Sequence, residues 1–143
     1  MVMPQASRAK GADRMDEVPV VVGEDERAWE ALEDEEASDS VLFKTLISGG
    51  LTRSEALTAG VAKIPPGAAL SRHRHRQAEV YLVLAGVGSV RVGDGVRSVR
   101  AGSAVFVPGN TFHSCENTGA SELRLAYVLA ADSFEDVEYV FED

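Results

Sequence analysis

From residue 40 onward the chain consists of short apolar runs, four to nine residues long, separated by glycine, proline and asparagine. Runs of this length are strand-sized, and many short strands with little helix favour an antiparallel sandwich or barrel. The Asp94-Gly95 pair between Val-Arg segments also predicts a hairpin. The sequence therefore predicts an all-β domain. The predicted strands are Val41–Ile47, Ala56–Ile64, Val80–Leu84, Ser89–Val92, Val96–Arg100, Ala104–Val107, Phe112–Cys115, Leu123–Ala130 and Val137–Phe141.

The N-terminal part of the chain has a different pattern. Residues 1–17 mix small and charged side chains without periodicity, which predicts a mobile tail. Val18–Val22 predicts a short strand. Glu24–Glu36 is rich in helix formers, with Trp29 and Leu32 on one side, and predicts a short N-terminal helix. At 143 residues, the expected organisation is one domain over residues 18–143.

Charge is unevenly distributed along the chain. The net charge is -9, but residues 40–131 carry 10 basic and 5 acidic side chains, a net charge of +5. An acidic chain is a poor partner for nucleic acid, because duplex binding depends on neutralising phosphates. No apolar run is long enough to predict a membrane span or a signal peptide, so a cytoplasmic location is expected. The single cysteine, Cys115, cannot form an intramolecular disulfide.

All three histidines of the chain fall in two short patterns. Imidazole nitrogen and carboxylate oxygen are ligands for divalent first-row metals, and three histidines with one glutamate leave further coordination positions for substrate. No histidine remains for other uses. The patterns are Gly67-x5-His73-x-His75-x3-Glu79-x6-Gly86 and Gly102-x5-Pro108-Gly109-x3-His113-x3-Asn117.

The spacing of the first two histidines predicts their orientation. Positions i and i+2 of an extended strand share a face, so His73 and His75 are expected to point inward. Arg72, Arg74 and Arg76 are then expected to point outward. His113 comes from a later strand, so a barrel can bring the ligands together inside its mouth.

These two patterns resemble the two sequence motifs of the cupin superfamily. The first, over 67–86, matches at every position. The second, over 102–117, has glycine at 109 and Asn110 where the family has glycine, and asparagine tolerates the positive φ of such a turn. The resemblance implies a double-stranded β-helix jelly roll. It also implies one divalent transition metal (Fe, Mn, Ni, Co or Zn) bound by His73, His75, Glu79 and His113.

Tyr81 is the candidate catalytic residue. It follows Glu79 by two positions and is expected to point inward, as in the small cupin lyases that cleave dimethylsulfoniopropionate, which this arrangement resembles and in which that tyrosine acts as base. Barrel packing is the alternative role, and it is also the expected role of Tyr127. Cys115 is expected near the metal as a small buried residue, and Phe106 and Phe112 are expected to line the pocket or core.

The resemblance and the site chemistry imply a metal-dependent enzyme acting on a small polar or anionic metabolite. Lyase or isomerase chemistry and dioxygenase chemistry both remain open, because a metal centre of this kind supports each of them. The alternative is a non-catalytic module that binds or senses a small molecule. A homodimer is expected, with Val18–Val22 and the region around Trp29 as candidate contacts.

Overall fold

The computed structural model describes residues 18–31 and 40–142, and this part of the chain is predominantly β-structure. The all-β prediction is confirmed. In chain order the strands are β1 (Glu30–Ala31), β2 (Leu42–Ile47), β3 (Thr58–Ile64), β4 (Ala69–Arg74), β5 (Glu79–Ala85), β6 (Val87–Val92), β7 (Gly95–Arg100), β8 (Ala104–Val107), β9 (His113–Asn117), β10 (Leu123–Leu129) and β11 (Val140–Phe141). Short 3-10 helices lie at Glu24–Glu26 and Phe134–Asp136.

The strands form two antiparallel sheets. Sheet I has the order β1-β2-β3-β10-β5-β8, and sheet II has the order β11-β4-β9-β6-β7. Neighbours in each sheet are mostly distant in sequence, as when β10 lies between β3 and β5. This is the jelly-roll architecture expected from the sequence, and it brings the ends of distant strands to one site.

The core lies between the two sheets. Along β10, every second side chain is buried, because alternate residues of a strand point to opposite faces. Burial of each large apolar side chain in this position is worth about 2 kcal/mol. Sheet II contributes Val90, Val99 and Cys115 to the same cluster. The inward residues of β10 are Leu123, Leu125, Tyr127 and Leu129.

The predicted hairpin forms between β6 and β7, one residue earlier than expected. Val92 pairs with Gly95, so Gly93 and Asp94 are the two turn residues. Gly93 has a φ of 59°, which glycine adopts without a steric penalty. Gly95, which was expected in the turn with Asp94, is therefore the first residue of β7.

The N-terminal expectations are largely wrong. Val18–Val22 forms no strand. Within residues 24–31, the described part of the predicted helix Glu24–Glu36, only Glu24–Glu26 is helical, as one 3-10 turn, and Glu30–Ala31 pairs with β2. The Trp29 ring lies 4.2 Å from Lys63 Nζ and 4.7 Å from Lys44 Nζ, and these contacts hold the segment against sheet I. The rest of the predicted helix and the predicted tail 1–17 lie outside the described residues.

Two other strands are shorter than expected by two or more residues. Strand β3 begins at Thr58 instead of Ala56, because Ala56 has a φ of 60° and donates its N–H to Asp132 Oδ1. In the predicted strand Val137–Phe141, only Val140 and Phe141 pair with β4. The 3-10 helix before them turns the chain across one end of the sheets.

Among residues 18–31 and 40–142, we find no helix with the length and hydrophobicity needed to cross a bilayer. The homodimer stays a prediction. Val18 and Val21 are 56% and 84% exposed and remain candidate contacts, whereas Trp29 is half-buried against its own sheet.

Replacing Asn117 by alanine is expected to destabilise the fold by about 3 kcal/mol, since buried polar groups lose their partners. Asn117 Nδ2 donates to Ile64 O and Ser121 O, both at 2.8 Å, and its Oδ1 accepts from Gly119 N at 2.9 Å. Urea unfolding measures the effect. Ser98→Ala, at an exposed position of β7, is the control; equal stability of the two variants would contradict the prediction.

Candidate metal centre

Four side chains from both sheets meet between the sheets. His73 on β4 and His113 on β9 are direct cross-strand partners in sheet II. His75 lies one residue beyond β4, and Glu79 is the first residue of β5 in sheet I. The jelly-roll topology therefore places the carboxylate opposite the three imidazoles. These four residues are called the histidine centre below.

The predicted orientation of the histidines is confirmed. His73, His75 and His113 are at most 2% exposed, and Glu79 is 5% exposed. The intervening arginines point away from the core, with Arg74 and Arg76 exposed. A buried carboxylate needs compensation by charge or hydrogen bonds.

Each imidazole is oriented by a backbone carbonyl. Nδ1 of His73 lies 2.7 Å from Ser71 O, Nδ1 of His75 lies 2.9 Å from Gln77 O, and Nδ1 of His113 lies 2.8 Å from Thr111 O. A carbonyl oxygen can only accept, so Nδ1 carries the proton in all three rings. The Nε2 atom of each neutral ring is then a free electron-pair donor, as in metal-binding histidines.

The Nε2 atoms converge on the carboxylate. Glu79 Oε1 lies 3.2 Å from His75 Nε2 and 3.3 Å from His113 Nε2, and the candidate ligand atoms of the three histidines lie within 4.8 Å of one another. Ligands about 2.1 Å from one metal are separated by roughly 3.0–3.4 Å. His113 Nε2 is buried without a hydrogen-bond partner among the described residues. The unprotonated Nε2 atoms and the carboxylate oxygen are all electron-pair donors, so their close approach fits a cation bound between them.

The turn before β9 holds the loop that carries His75. Asn110 N donates to His75 O at 2.7 Å. Asn110 has a φ of 58°, so the expectation that asparagine maintains this turn is confirmed. A Cβ on Gly109 would lie 2.4 Å from Arg76 O. Glycine is therefore needed at 109 for close approach, and Asn110 adopts the left-handed conformation.

Burial determines the protonation of the centre. It lowers the pKa of His73 to about 3, with the neighbouring His113 adding to the shift. Burial alone would raise the pKa of Glu79, but a proton on the Nε2 atoms of His113 and His75 that face it outweighs burial, and the net pKa is lowered. A metal at this point would take the place of that proton. A neutral His73 and an ionised Glu79 are the states that ligate a metal.

Tyr81 lies inside the sandwich beside the centre, as predicted. It is 2% exposed, and its ring centroid is 6.2 Å from that of His113. Burial raises its pKa well above the usual value, and the negative charge of Glu79 adds to this. Without a cation nearby, the Tyr81 hydroxyl is protonated at neutral pH.

The other expected pocket residues divide into two groups. Tyr127 is a buried core residue as predicted, with its hydroxyl 3.1 Å from Thr45 Oγ1. Cys115 is buried, and burial raises the pKa of its thiol to about 12, so the thiol is unreactive. The expectation for the two phenylalanines is wrong. Phe106 is 64% exposed because it pairs with the outward-facing Val80, and Phe112 packs under Arg72 and Arg74.

Sequence reasoning missed three aromatic residues beside the centre. Phe43, Phe134 and Tyr139 line a small chamber of about 40 Å³ together with His73, Glu79 and Tyr81. The Tyr139 ring centroid lies 4.9 Å from that of His73 and 5.6 Å from that of His75. One signal was present: Val137, Tyr139 and Phe141 occupy alternate positions of an extended segment, which puts them on one face.

Comparison with known proteins identifies a family match. Residues 60–129 match the family described as the cupin domain. The crystal structure of a predicted oxalate decarboxylase from Thermotoga maritima is 25% identical, with a TM-score of 0.67 over 78% of this chain and 98% of that one. The polyketide cyclase RemF from Streptomyces resistomycificus, 18% identical, has a TM-score of 0.72 over 88% of each chain and shows the same fold.

Curated relatives include one enzyme with extensive similarity. The chain is 41% identical over 102 residues to dimethylsulfoniopropionate lyase DddW of Ruegeria pomeroyi. The matched region covers 71% of this chain and 66% of that protein. It is 32% identical over 68 residues to an oxalate-binding protein of Thermotoga maritima, covering 47% of this chain and 56% of that protein. The matches thus span 14% to 66% of the curated relatives' lengths.

Metal-free protein is expected to lose stability as the pH falls from 7 to 5. The folded pKa of His73, about 3, lies below the unfolded value of about 6.5, so only the unfolded chain takes up a proton in this interval. The expected contribution is about 1 kcal/mol per pH unit below pH 6.5. Urea midpoints of the EDTA-treated protein measure it. His73→Gln should have a flatter profile; an unchanged slope in that variant would contradict this assignment.

Proposed function

The chain is a small cupin-domain protein, and from that premise we propose that it is a metal-dependent lyase acting on a carboxylate with a sulfonium group at its β carbon. The observation that carries the proposal is the 41% identity to dimethylsulfoniopropionate lyase DddW over 71% of the chain. The buried Tyr81 beside the histidine centre supports it, because elimination needs a base near the bound carboxylate.

His73, His75, Glu79 and His113 are the residues that would hold the metal. The candidate ligand atoms of the three histidines are buried and lie within 4.8 Å of one another, and Glu79 Oε1 lies 3.2 Å and 3.3 Å from the Nε2 atoms of His75 and His113. When bound, a divalent cation acts as a Lewis acid toward a substrate carboxylate and makes its α proton more acidic. The protein's contribution is to fix the ligand geometry through the three Nδ1-carbonyl hydrogen bonds and to exclude bulk water.

Tyr81 is proposed as the base that removes the α proton. Burial and, to a smaller extent, the negative charge of Glu79 raise its pKa, and a divalent cation beside Glu79 opposes the second effect. The phenolate takes the proton from the α carbon, and the C–H electron pair forms the α–β double bond. The C–S bond breaks with its electrons on sulfur, which leaves as a neutral thioether. An unsaturated carboxylate remains, and Tyr81 returns the proton to solvent.

A second candidate function is binding of a small dicarboxylate without turnover. It is favoured by the 32% identity to the oxalate-binding protein of Thermotoga maritima. The same histidine centre serves this function, since a metal with open positions binds oxalate oxygen directly. Tight oxalate binding together with no elimination activity would favour this candidate over the lyase.

Protein purified without added metal is expected to contain about one divalent transition-metal ion per chain, by elemental analysis. His113→Ala is expected to lose most of it, because one imidazole of the centre is removed and Glu79 loses its compensation. Ser114→Ala, at the neighbouring outward position, is the matched control. If the protein binds none of Fe, Mn, Ni, Co or Zn on titration, the proposed metal centre is wrong.

Tyr81→Phe is expected to lower kcat for elimination of dimethylsulfoniopropionate at least about 100-fold, while metal content is retained, because only the hydroxyl is removed. Release of dimethyl sulfide, measured by gas chromatography, reports the rate. Tyr127→Phe removes another buried hydroxyl, one that is bonded to Thr45, and is expected to lose less than about tenfold. Comparable losses in both variants would argue against the base assignment.

The same assay separates lyase from dioxygenase chemistry. Elimination consumes no dioxygen, so turnover is expected to be equal in aerobic and anaerobic solution. Turnover that stops without dioxygen would replace the lyase proposal with an oxygenase.

A further inference from the structure

Two cavities meet at one layer of aromatic side chains. An outer cleft of about 780 Å³ opens to solvent, and the inner chamber of about 40 Å³ contains His73 and Glu79 in its lining. Three residues line both cavities: Phe43, Phe134 and Tyr139. These three side chains, called the aromatic wall below, separate the solvent-exposed cleft from the histidine centre.

The wall is one ring thick at Tyr139. Its ring centroid is 6.2 Å from that of Phe134, and Phe134 is 5.3 Å from Phe43, so the three rings form a continuous layer. On the inner side, the Tyr139 ring lies 4.9 Å from the ring of His73. A molecule in the outer cleft is therefore next to the centre and is kept from it by Tyr139.

The inner chamber is too small for a metabolite in this conformation. A volume of about 40 Å³ is close to that of one water molecule. A substrate in the outer cleft reaches the centre only if the wall opens. Tyr139 is positioned to allow this, because its segment lies between the 3-10 helix Phe134–Asp136 and the two-residue strand β11 and has no strand partner itself.

The chemistry of the outer cleft favours a cation with an apolar surface. Aromatic rings and aliphatic side chains make up much of its described lining, in which the ionisable carboxyl side chains are Glu30 and Glu135. None of the described residues that line the cleft is lysine, arginine or histidine. Methylated sulfonium and ammonium groups bind aromatic faces and are attracted by carboxylates, whereas an anion would find no positive partner among the described lining residues.

We propose that the outer cleft binds the methylated cationic group of the substrate and that Tyr139 is the gate between this cleft and the histidine centre. The proposal rests on the proposed function in that it treats the cleft as the substrate's route to the centre. It adds a recognition site for the cation that is separate from the metal ligands. The carboxylate end of the substrate would pass the wall while the cationic end stays among the aromatic rings.

Titration of metal-free, full-length protein with trimethylsulfonium and tetramethylammonium chloride tests cation recognition, with binding followed by NMR. Resonances of Leu51 and Val137 in the cleft are expected to shift with both cations and not with tert-butanol, a neutral probe of similar size. The double variant Glu30→Gln/Glu135→Gln is expected to weaken binding about fivefold.

The matched control is Glu116→Gln/Glu122→Gln, which removes two exposed glutamates outside the cleft and is expected to bind the cations as the unaltered protein does. Shifts of equal size with tert-butanol, or equal weakening in the two double variants, would overturn the cation assignment. A response to only one of the two cations identifies which methylated group the cleft accepts and supports the proposal.

Access through the wall is measured by chemical modification. All three histidines of the chain belong to the centre, so carbethoxylation by diethyl pyrocarbonate, followed by mass spectrometry, reports access directly. Tyr139→Ala is expected to accelerate modification of the metal-free protein about tenfold, and Phe112→Ala, on the outer face of sheet II, is expected to have no effect. Tyr139→Leu serves if the alanine variant does not fold. Unchanged modification rates in a folded Tyr139 variant would refute the gate.

The outcomes of the cation titration and of the histidine modification do not depend on the lyase proposal, since neither experiment needs bound metal or turnover. Cation binding without elimination activity would reject the lyase and leave the cleft assignment standing. Elimination activity in a protein whose cleft binds no cation would do the reverse.

Discussion

Three hydrogen bonds from imidazole Nδ1 atoms to backbone carbonyls determine the chemistry of this protein. They direct the Nε2 atoms of His73, His75 and His113 to one point inside the sandwich. Glu79 approaches that point from the opposite sheet, and its oxygen lies 3.2 Å and 3.3 Å from two of those nitrogens. Without these carbonyl partners, a histidine could rotate its ring or change tautomer, and the convergence of electron-pair donors would be lost.

The fold makes this arrangement possible by pairing strands that are far apart in sequence. His73 and His113 are separated by 40 positions, yet they are direct neighbours across β4 and β9. The backbone contacts around the centre come from the turn before β9, where Asn110 binds the carbonyl of His75. The positions of the ligands therefore depend on strand register, because a slip of one residue would turn an inward histidine to the outer face.

The sequence predicted the inward orientation of the histidines because side-chain parity is a local property. The His73-x-His75 spacing alone specifies that both imidazoles share a face. The same rule would have placed Phe106 outside, since Val105 and Val107 flank it. The helix predicted at Glu24–Glu36 was wrong over its described residues, 24–31, for another reason. Its local helix propensity is opposed by contacts of Trp29 with Lys44 and Lys63, and such tertiary contacts cannot be read from propensity.

The aromatic wall could not be predicted from the sequence, because it depends on how three distant segments pack at the mouth of the sandwich. Phe43 belongs to β2, Phe134 to a 3-10 helix and Tyr139 to the segment that precedes β11. Their packing gives the centre two properties that oppose each other. A closed wall excludes water and strengthens the electrostatic interactions of Glu79, but it also excludes substrate. A centre of this kind therefore needs a conformational step in each cycle of binding, and the least constrained part of the wall is the short segment that carries Tyr139.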